Sequence, residues 1–260
     1  MLLTGFVFFS CSRNSGSAES KQELAEAMEH AALAAPSRSS PGFALAVNTG
    51  LYVLERGTED TGDEDTRVVW GESLALGENI FLGKPRRLFW AGQSNARHLD
   101  FVEIRRANGT EGWALVNQVA EGGRLAVVVE DRSFLHSLPR IVDVSRFILS
   151  RRSVVVYFPE TEEDGFVEVK GWDVERREYV QQSARYIRLS SLSRRDADIQ
   201  SAILLHTALA ITAANQAERK DALLESALLH FPDSVFFQEI FEILHPNASM
   251  VMYLDDDDND

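Results

Sequence analysis

A mainly β fold with a C-terminal α segment is what this sequence predicts, and three observations carry it. Between residues 42 and 189, short runs rich in Val, Ile, Tyr, Phe and Trp alternate with Gly, Asn and charged clusters, the pattern of strands and turns. No long helical period interrupts them, which speaks against a parallel βαβ sheet and for small antiparallel barrels or sandwiches. After Ser193 the period changes: residues 196–215 are apolar on nearly all faces, as expected of a helix packed between neighbours.

The strand runs can be taken in order: "FALAVN", "GLYVLER", "TRVVWG", "DFVEIRR" and "GWALV", then "RLAVVVE", "SFLH", "SVVVYF", "GFVEVK" and "ARYIRL". Two short patterns recur. Leu45-Ala46-Val47 returns as Leu125-Ala126-Val127, 80 residues on, and Phe101-Val102-Glu103 as Phe166-Val167-Glu168, 65 residues on. A repeat with unequal offsets implies one domain used twice, with a longer insertion in the first copy.

"DFVEIRRANGTEGWALVNQVA" joins two strands at Asn108-Gly109, a pair that tolerates positive φ, and its second strand starts with Gly112-Trp113. This hairpin resembles the distal hairpin of bacterial SH3-like (SH3b) domains. "TGLYVLERG" stands where that family has its early strand, with Tyr52 and Leu54 at the positions of its Asn and Arg. The resemblance implies two small SH3-like barrels in tandem, at 42–122 and 123–193. In the second copy the Gly-Trp pair has become Ala184-Arg185-Tyr186, and "GWDVERREYVQQS" lengthens the hairpin.

Ser193 with Asp196 resembles a capping box at the start of the first C-terminal helix. Two further helices are expected at 218–230 and 235–245, giving a three-helix cap within 194–254. "ALLESALLHFPDS" resembles the junction of tetratricopeptide-type helices, which implies Ala227 as a small packing residue and Pro232 as the helix stop. One junction falls short of the three or so units that an array needs. His206, inside the apolar run, is expected to be a hydrogen-bonded core residue. A last acidic stretch, 255–260, reads as a disordered tail.

At the other end, residues 2–10 are mostly apolar, then "SRNSGSAESKQ" reads as a polar tether. The apolar run is shorter than the 20 or so residues that span a bilayer. Phe8-Phe9-Ser10-Cys11 resembles the lipobox of bacterial lipoproteins, with Phe9 where a smaller residue is usual and no Lys or Arg before the run. That resemblance implies a signal peptide at 1–10 and lipidation of Cys11. The protein would then be lipid-anchored in a bacterial cell envelope, facing the periplasm. Residues 11–41 are expected to hold the tether and a short helix at 18–35.

Composition narrows the function. Asp and Glu number 40 against 26 Lys and Arg, a net charge of −14. The excess lies in three runs, 59–65, 160–164 and 255–260, expected to be solvated loops and a disordered tail. The basic residues come as scattered pairs, so no nucleic-acid partner is expected. The single cysteine excludes a disulfide framework and a Cys-rich zinc site. G-x-S-x-G, H-E-x-x-H, P-loop and Rossmann glycine patterns are all missing from the sequence. SH3-like repeats often accompany cell-wall endopeptidases with a Cys-His pair, but Cys11 sits in a signal or tether. No enzyme, metal or cofactor is therefore expected.

Binding by aromatic residues remains, because large rings dominate recognition hot spots. The candidates are Tyr52, Trp70, Trp90 and Trp113 in the first copy and Tyr157, Trp172 and Tyr186 in the second. Of these, Tyr52, Trp90, Trp113 and Trp172 are the expected ligand-binding residues, with Trp90 placed in an exposed loop, "RRLFWAGQSN". The expected partners are the membrane, through the N-terminal lipid, and peptidoglycan or an envelope protein. The alternative is a structural lipoprotein that recruits an envelope protein through its C-terminal helices.

Overall fold

The computed structural model describes residues 39–55, 67–90, 97–173, 175–176, 178–180 and 185–246. Cys11, the signal-like run 1–10, the helix expected at 18–35, the acidic run 59–65 and the tail 255–260 lie outside the described residues.

The chain is mainly β, with a C-terminal segment of three helices. The first sheet holds β1 (Ser40–Ala44), β2 (Thr49–Glu55), β3 (Arg67–Leu74), β4 (Asn79–Trp90), β5 (Arg97–Arg106), β6 (Glu111–Leu115) and β7 (Val119–Glu121). Its strand order is β3-β2-β6-β5-β4-β1-β7. β3 also pairs β4 in parallel through Arg67↔Phe89 and Val68↔Trp90, so the path of pairs returns to its first strand.

The second sheet holds β8 (Arg124–Val128), β9 (Arg132–His136), β10 (Val144–Ser150), β11 (Val154–Glu163), β12 (Phe166–Asp173), β14 (Tyr186–Arg188) and β15 (Leu192–Ser193), with β13 (Glu178–Tyr179) on β12. Its order, β10-β9-β14-β12-β11-β8-β15, repeats that of the first sheet strand for strand. In each sheet a one-turn 3-10 helix joins the sixth and seventh of these strands, Val116–Gln118 in one and Leu189–Ser191 in the other.

The registers show which residues correspond. Phe101 pairs Leu115 just before the first 3-10 turn, and Phe166 pairs Arg188 just before the second. The Phe-Val-Glu repeat therefore occupies one position in both sheets. The Leu-Ala-Val repeat does not. Ala44 pairs Val119 and Val128 pairs Leu192 directly after those turns, so Ala44 corresponds to Val128. Leu45-Ala46-Val47 lies in the bend after β1, whereas Leu125-Ala126-Val127 lies inside β8.

Three further expectations are corrected. Trp90 ends β4, a 12-residue strand, and is half-buried rather than in an exposed loop. The sequence concealed this because Gly83-Lys84-Pro85 looks like a break; the register shifts between Leu82 and Pro85, a bulge that accommodates the proline within the strand. Glu160, Glu162 and Glu163 are the exposed end of β11 rather than loop residues, and Asp164-Gly165, with φ of 51° and 76°, makes the hairpin turn. At Asn108-Gly109 only Gly109 takes positive φ, 86°, while the Asn108 carboxamide accepts the Thr110 N–H at 3.0 Å.

The helices are α1 (Asp196–Ala210), α2 (Ala217–His230) and α3 (Phe237–Leu244). α1 starts without a side-chain cap: Ser193 Oγ donates at 2.5 Å to Asp198 rather than bonding with Asp196. The apolar faces of α1 explain its place. Ile199, Ala202, Leu205 and Ala208 meet Val127 and Val154 of the second sheet, Leu224 and Ala227 of α2, and Ile240 of α3 in one core. Leu76 joins it from the turn between β3 and β4, so the helices touch both sheets. Ala227 is 1% exposed, small enough for α2 to come close, and Pro232 follows the end of α2. No helix among the described residues is long and apolar enough to cross a membrane.

Candidate functional site

Alternation along the strands sends Leu51, Val102 and Ala114 to one face of the first sheet and Tyr52, Phe101 and Trp113 to the other. Tyr52 is central to the second face. It lies directly opposite Trp70 on β3 and Trp113 on β6. Its ring meets Trp70 edge to face, with centroids 5.6 Å apart and planes at 85°, and meets Phe101 at 5.3 Å and 77°. Trp90 packs against the same cluster, placed there by its pairing with Val68. The sheet thus brings together Tyr52, Trp90 and Trp113, and adds Trp70.

Exposure divides these rings into a floor and a wall. Tyr52 and Trp113 are only 7% and 8% exposed, so little of either can touch a ligand. Trp70 is 54% exposed and stands above them. Two glycines make this possible. The register of β2 and β3 shifts so that Leu51 opposes Glu72 while Tyr52 opposes Trp70, leaving Gly71 as an extra residue that re-aims Trp70. At Gly50 a Cβ would lie 2.5 Å from Tyr52 Cε2 and 2.8 Å from Trp70 Cζ3, so the ring pair rests on bare backbone.

Charges border the face. The Arg86 guanidinium sits 5.8 Å from the Trp113 ring centre, within cation–π range. Glu103, exposed, lies opposite Trp113. Burial pushes the Tyr52 hydroxyl above its ordinary pKa, so it stays a neutral hydrogen-bonding group. Arg86, Glu103 and Gly50 were missed in the sequence; the signal for Gly50 was a glycine two residues before Tyr52 in an otherwise mostly apolar strand.

The second sheet has smaller groups at the same positions. His136, opposite Tyr186, corresponds to Tyr52, and its ring meets Phe166 at 4.8 Å as Tyr52 meets Phe101. Val144, opposite His136, takes the place of Trp70. Arg185 lies 5.7 Å over Tyr186, as Arg86 lies over Trp113, but the projecting tryptophan is gone. Tyr157 is 5% exposed and packs in the core.

Trp172 belongs to a different place. It is half-buried on β12 opposite Tyr179, the two rings meeting at 4.5 Å. Burial pushes the Tyr179 hydroxyl up to about 12, a hydrogen bond with Gln118 draws it back, and the nearby Tyr52 raises it further. Among the described residues no group of three or more His, Cys, Asp or Glu is placed to hold a metal ion.

Rings of this size and exposure offer a flat apolar surface with a cation and a carboxylate at its edge, suited to stacking and hydrogen bonding. No protein-family model matches the chain. No curated protein matches it either. Among solved structures it is similar to NlpC2 from Trichomonas vaginalis, with 14% identity, a TM-score of 0.21, and coverage of 72% of this chain and 56% of that one. It is also similar to NlpC1 from the same organism, with 14% identity, a TM-score of 0.18, and coverage of 74% and 54%. The chain spans just over half the length of these two proteins.

Proposed function

We propose that the two sheets are tandem SH3-like domains of a non-catalytic, lipid-anchored bacterial envelope protein that holds peptidoglycan on the aromatic face of its first domain. Cys11 is the proposed anchor, and the periplasm the proposed compartment. The common strand order and the return of β3 to β4 support the domain reading. One observation carries the binding reading: Trp70, 54% exposed, projects beside the Tyr52–Trp113 floor with Arg86 at its edge. Sugar rings stack on such a surface, while the lactyl and peptide groups of murein offer partners to Arg86 and Glu103.

Retention on isolated murein tests this. Wild type is expected to be retained, Trp70→Ala to be lost, Trp90→Ala to be weakened, and Trp172→Ala to behave as wild type. Equal retention of all four removes the wall ligand. Intact mass of the membrane fraction tests the anchor: an acylated Cys11 supports it, and an unmodified soluble product removes it.

The alternative reading, a scaffold that recruits an envelope protein through its helices, draws on Leu229 of α2, 76% exposed, and the nearby Val235. Under that reading Leu229→Arg, not Trp70→Ala, abolishes co-purification of the partner.

A further inference from the structure

A cavity lies where the first sheet, the second sheet and α1 meet. The bend Leu45–Asn48, the turn residue Leu76, Arg152, Trp172 and the face of α1 with His206 and Leu209 enclose a cavity of about 510 Å³, within the range that holds small molecules.

Two features meet on it, and Arg152 takes part in both. Asn48 and Arg152, two of the three non-glycine residues with positive φ among those described, both line this cavity. Such backbone is costly for Arg and persists where surroundings hold it. Two of the three buried polar side-chain atoms that lack a partner among the described residues are Arg152 Nε and His206 Nδ1, on residues of the same wall. His206 Nε2–H donates at 2.7 Å to the Arg152 carbonyl, which fixes the tautomer and makes Nδ1 an acceptor. Arg152 Nε–H is a donor. Buried groups of this kind are nearly always satisfied. The Arg152 charge is already met by Glu239 at 2.6 Å and by Glu175 at 3.8 Å, so an added anion is not called for. The remaining wall combines the apolar Trp172, Val47, Leu76 and Leu209 with the polar Asn48 and Thr212.

We propose that this cavity binds a small uncharged molecule with an aromatic or aliphatic body and one hydroxyl or amide group. The body lies against Trp172 and Leu76. The polar group donates to His206 Nδ1 and accepts from Arg152 Nε–H, supplying the one donor and one acceptor the wall lacks.

The probes are benzyl alcohol and toluene, which share a ring and differ by the hydroxyl, titrated into the full chain with isotope-labelled His and Trp and followed by NMR. Saturable movement of the Trp172 indole and His206 Nδ1 signals by benzyl alcohol is expected, with toluene binding about tenfold more weakly. His206→Phe is expected to remove the difference between the two. Leu209→Trp, at a 40% exposed position on the rim, leaves the buried hydrogen bond intact and is expected to block both probes. No saturable shift, equal affinities in wild type, or unchanged binding in Leu209→Trp each overturns the proposal.

Discussion

Gly77 and Arg152 occupy the same point of the two sheets. Each is the third residue of a tight turn, with φ of 72° and 73°, and their N–H groups donate to Ala44 and Val128, themselves corresponding residues. The first turn satisfies the left-handed conformation with glycine, while the second holds an arginine there. The difference is explained by what the side chain reaches: Arg152 Nη1 donates to Glu239 of α3 at 2.6 Å.

Arg152→Gly therefore relieves backbone strain of about 1 kcal/mol and loses a partly buried, charge-assisted contact of about 2 kcal/mol. The expected result is a net loss of about 1 kcal/mol in the denaturant midpoint analysis. Made in a Glu239→Gln background, the same change is expected to be neutral or stabilising. A loss of equal size in both backgrounds would show that the ion pair is not the reason for the arginine.

Gly112 precedes Trp113 for a steric reason. A Cβ there would lie 2.4 Å from Leu51 Cδ1 and 2.8 Å from the Tyr52 carbonyl oxygen, and the latter is backbone that cannot swing aside. Gly112→Ala is expected to cost about 2–3 kcal/mol and to change the near-ultraviolet circular dichroism of the aromatic cluster. At Gly109 nothing lies within 4 Å, so Gly109→Ala is expected to cost only the left-handed penalty, about 1 kcal/mol, and leave that spectrum unchanged.

Asp198 ties α1 to the start of α3. Its buried carboxylate accepts Ser193 Oγ–H at 2.5 Å and the Val235 N–H at 2.9 Å. Asp198→Ala leaves both donors unsatisfied and is expected to cost about 3 kcal/mol. Asp198→Asn keeps an acceptor for Val235 and is expected to cost about half that. Amide hydrogen exchange at 236–240 should rise in the first variant more than in the second; equal rates would place the anchor of α3 elsewhere.

His206 makes docking of the helices sensitive to acid. Burial lowers its pKa from the ordinary 6.5, the hydrogen bond to the Arg152 carbonyl opposes this, and the Arg152 charge adds to the lowering. The fold thus selects the neutral ring. Its contribution is complete above about pH 6.5, where the unfolded chain is neutral too, and is lost as the pH falls below that value. His206→Gln is expected to flatten the fall of stability between about pH 6.5 and 5, by up to about 1.4 kcal/mol per pH unit. Urea midpoints measured across that range check it, and parallel curves for the two proteins would contradict it.

Much of this architecture could be read from side-chain pattern. The Phe-Val-Glu repeat marked corresponding strands because its Phe and Val are buried in both sheets, and short apolar runs located β2, β8 and β11. The bulged β4 stayed hidden, since glycine, lysine and proline in its middle erased the alternation that Ile80 and Leu82 begin. The Leu-Ala-Val match misled because Ala44 and Val128 correspond by backbone pairing alone. At the site, tryptophan and tyrosine were visible as residue types, but their exposure was not. Trp70 projects because Gly71 shifts the register of β3, and Tyr52 is buried because Gly50 lets its ring lie flat, relationships across strands that no local period carries. The His206–Arg152 contact spans 54 positions and leaves no local trace either.

Whether the aromatic face of the first sheet is the proposed binding surface for peptidoglycan is decided by titrating soluble murein fragments into the full chain while following tryptophan fluorescence. A saturable change is expected in wild type and in Trp172→Phe, and its disappearance in Trp70→Ala with folding retained. A saturable change that survives Trp70→Ala, or no change in wild type, would contradict it.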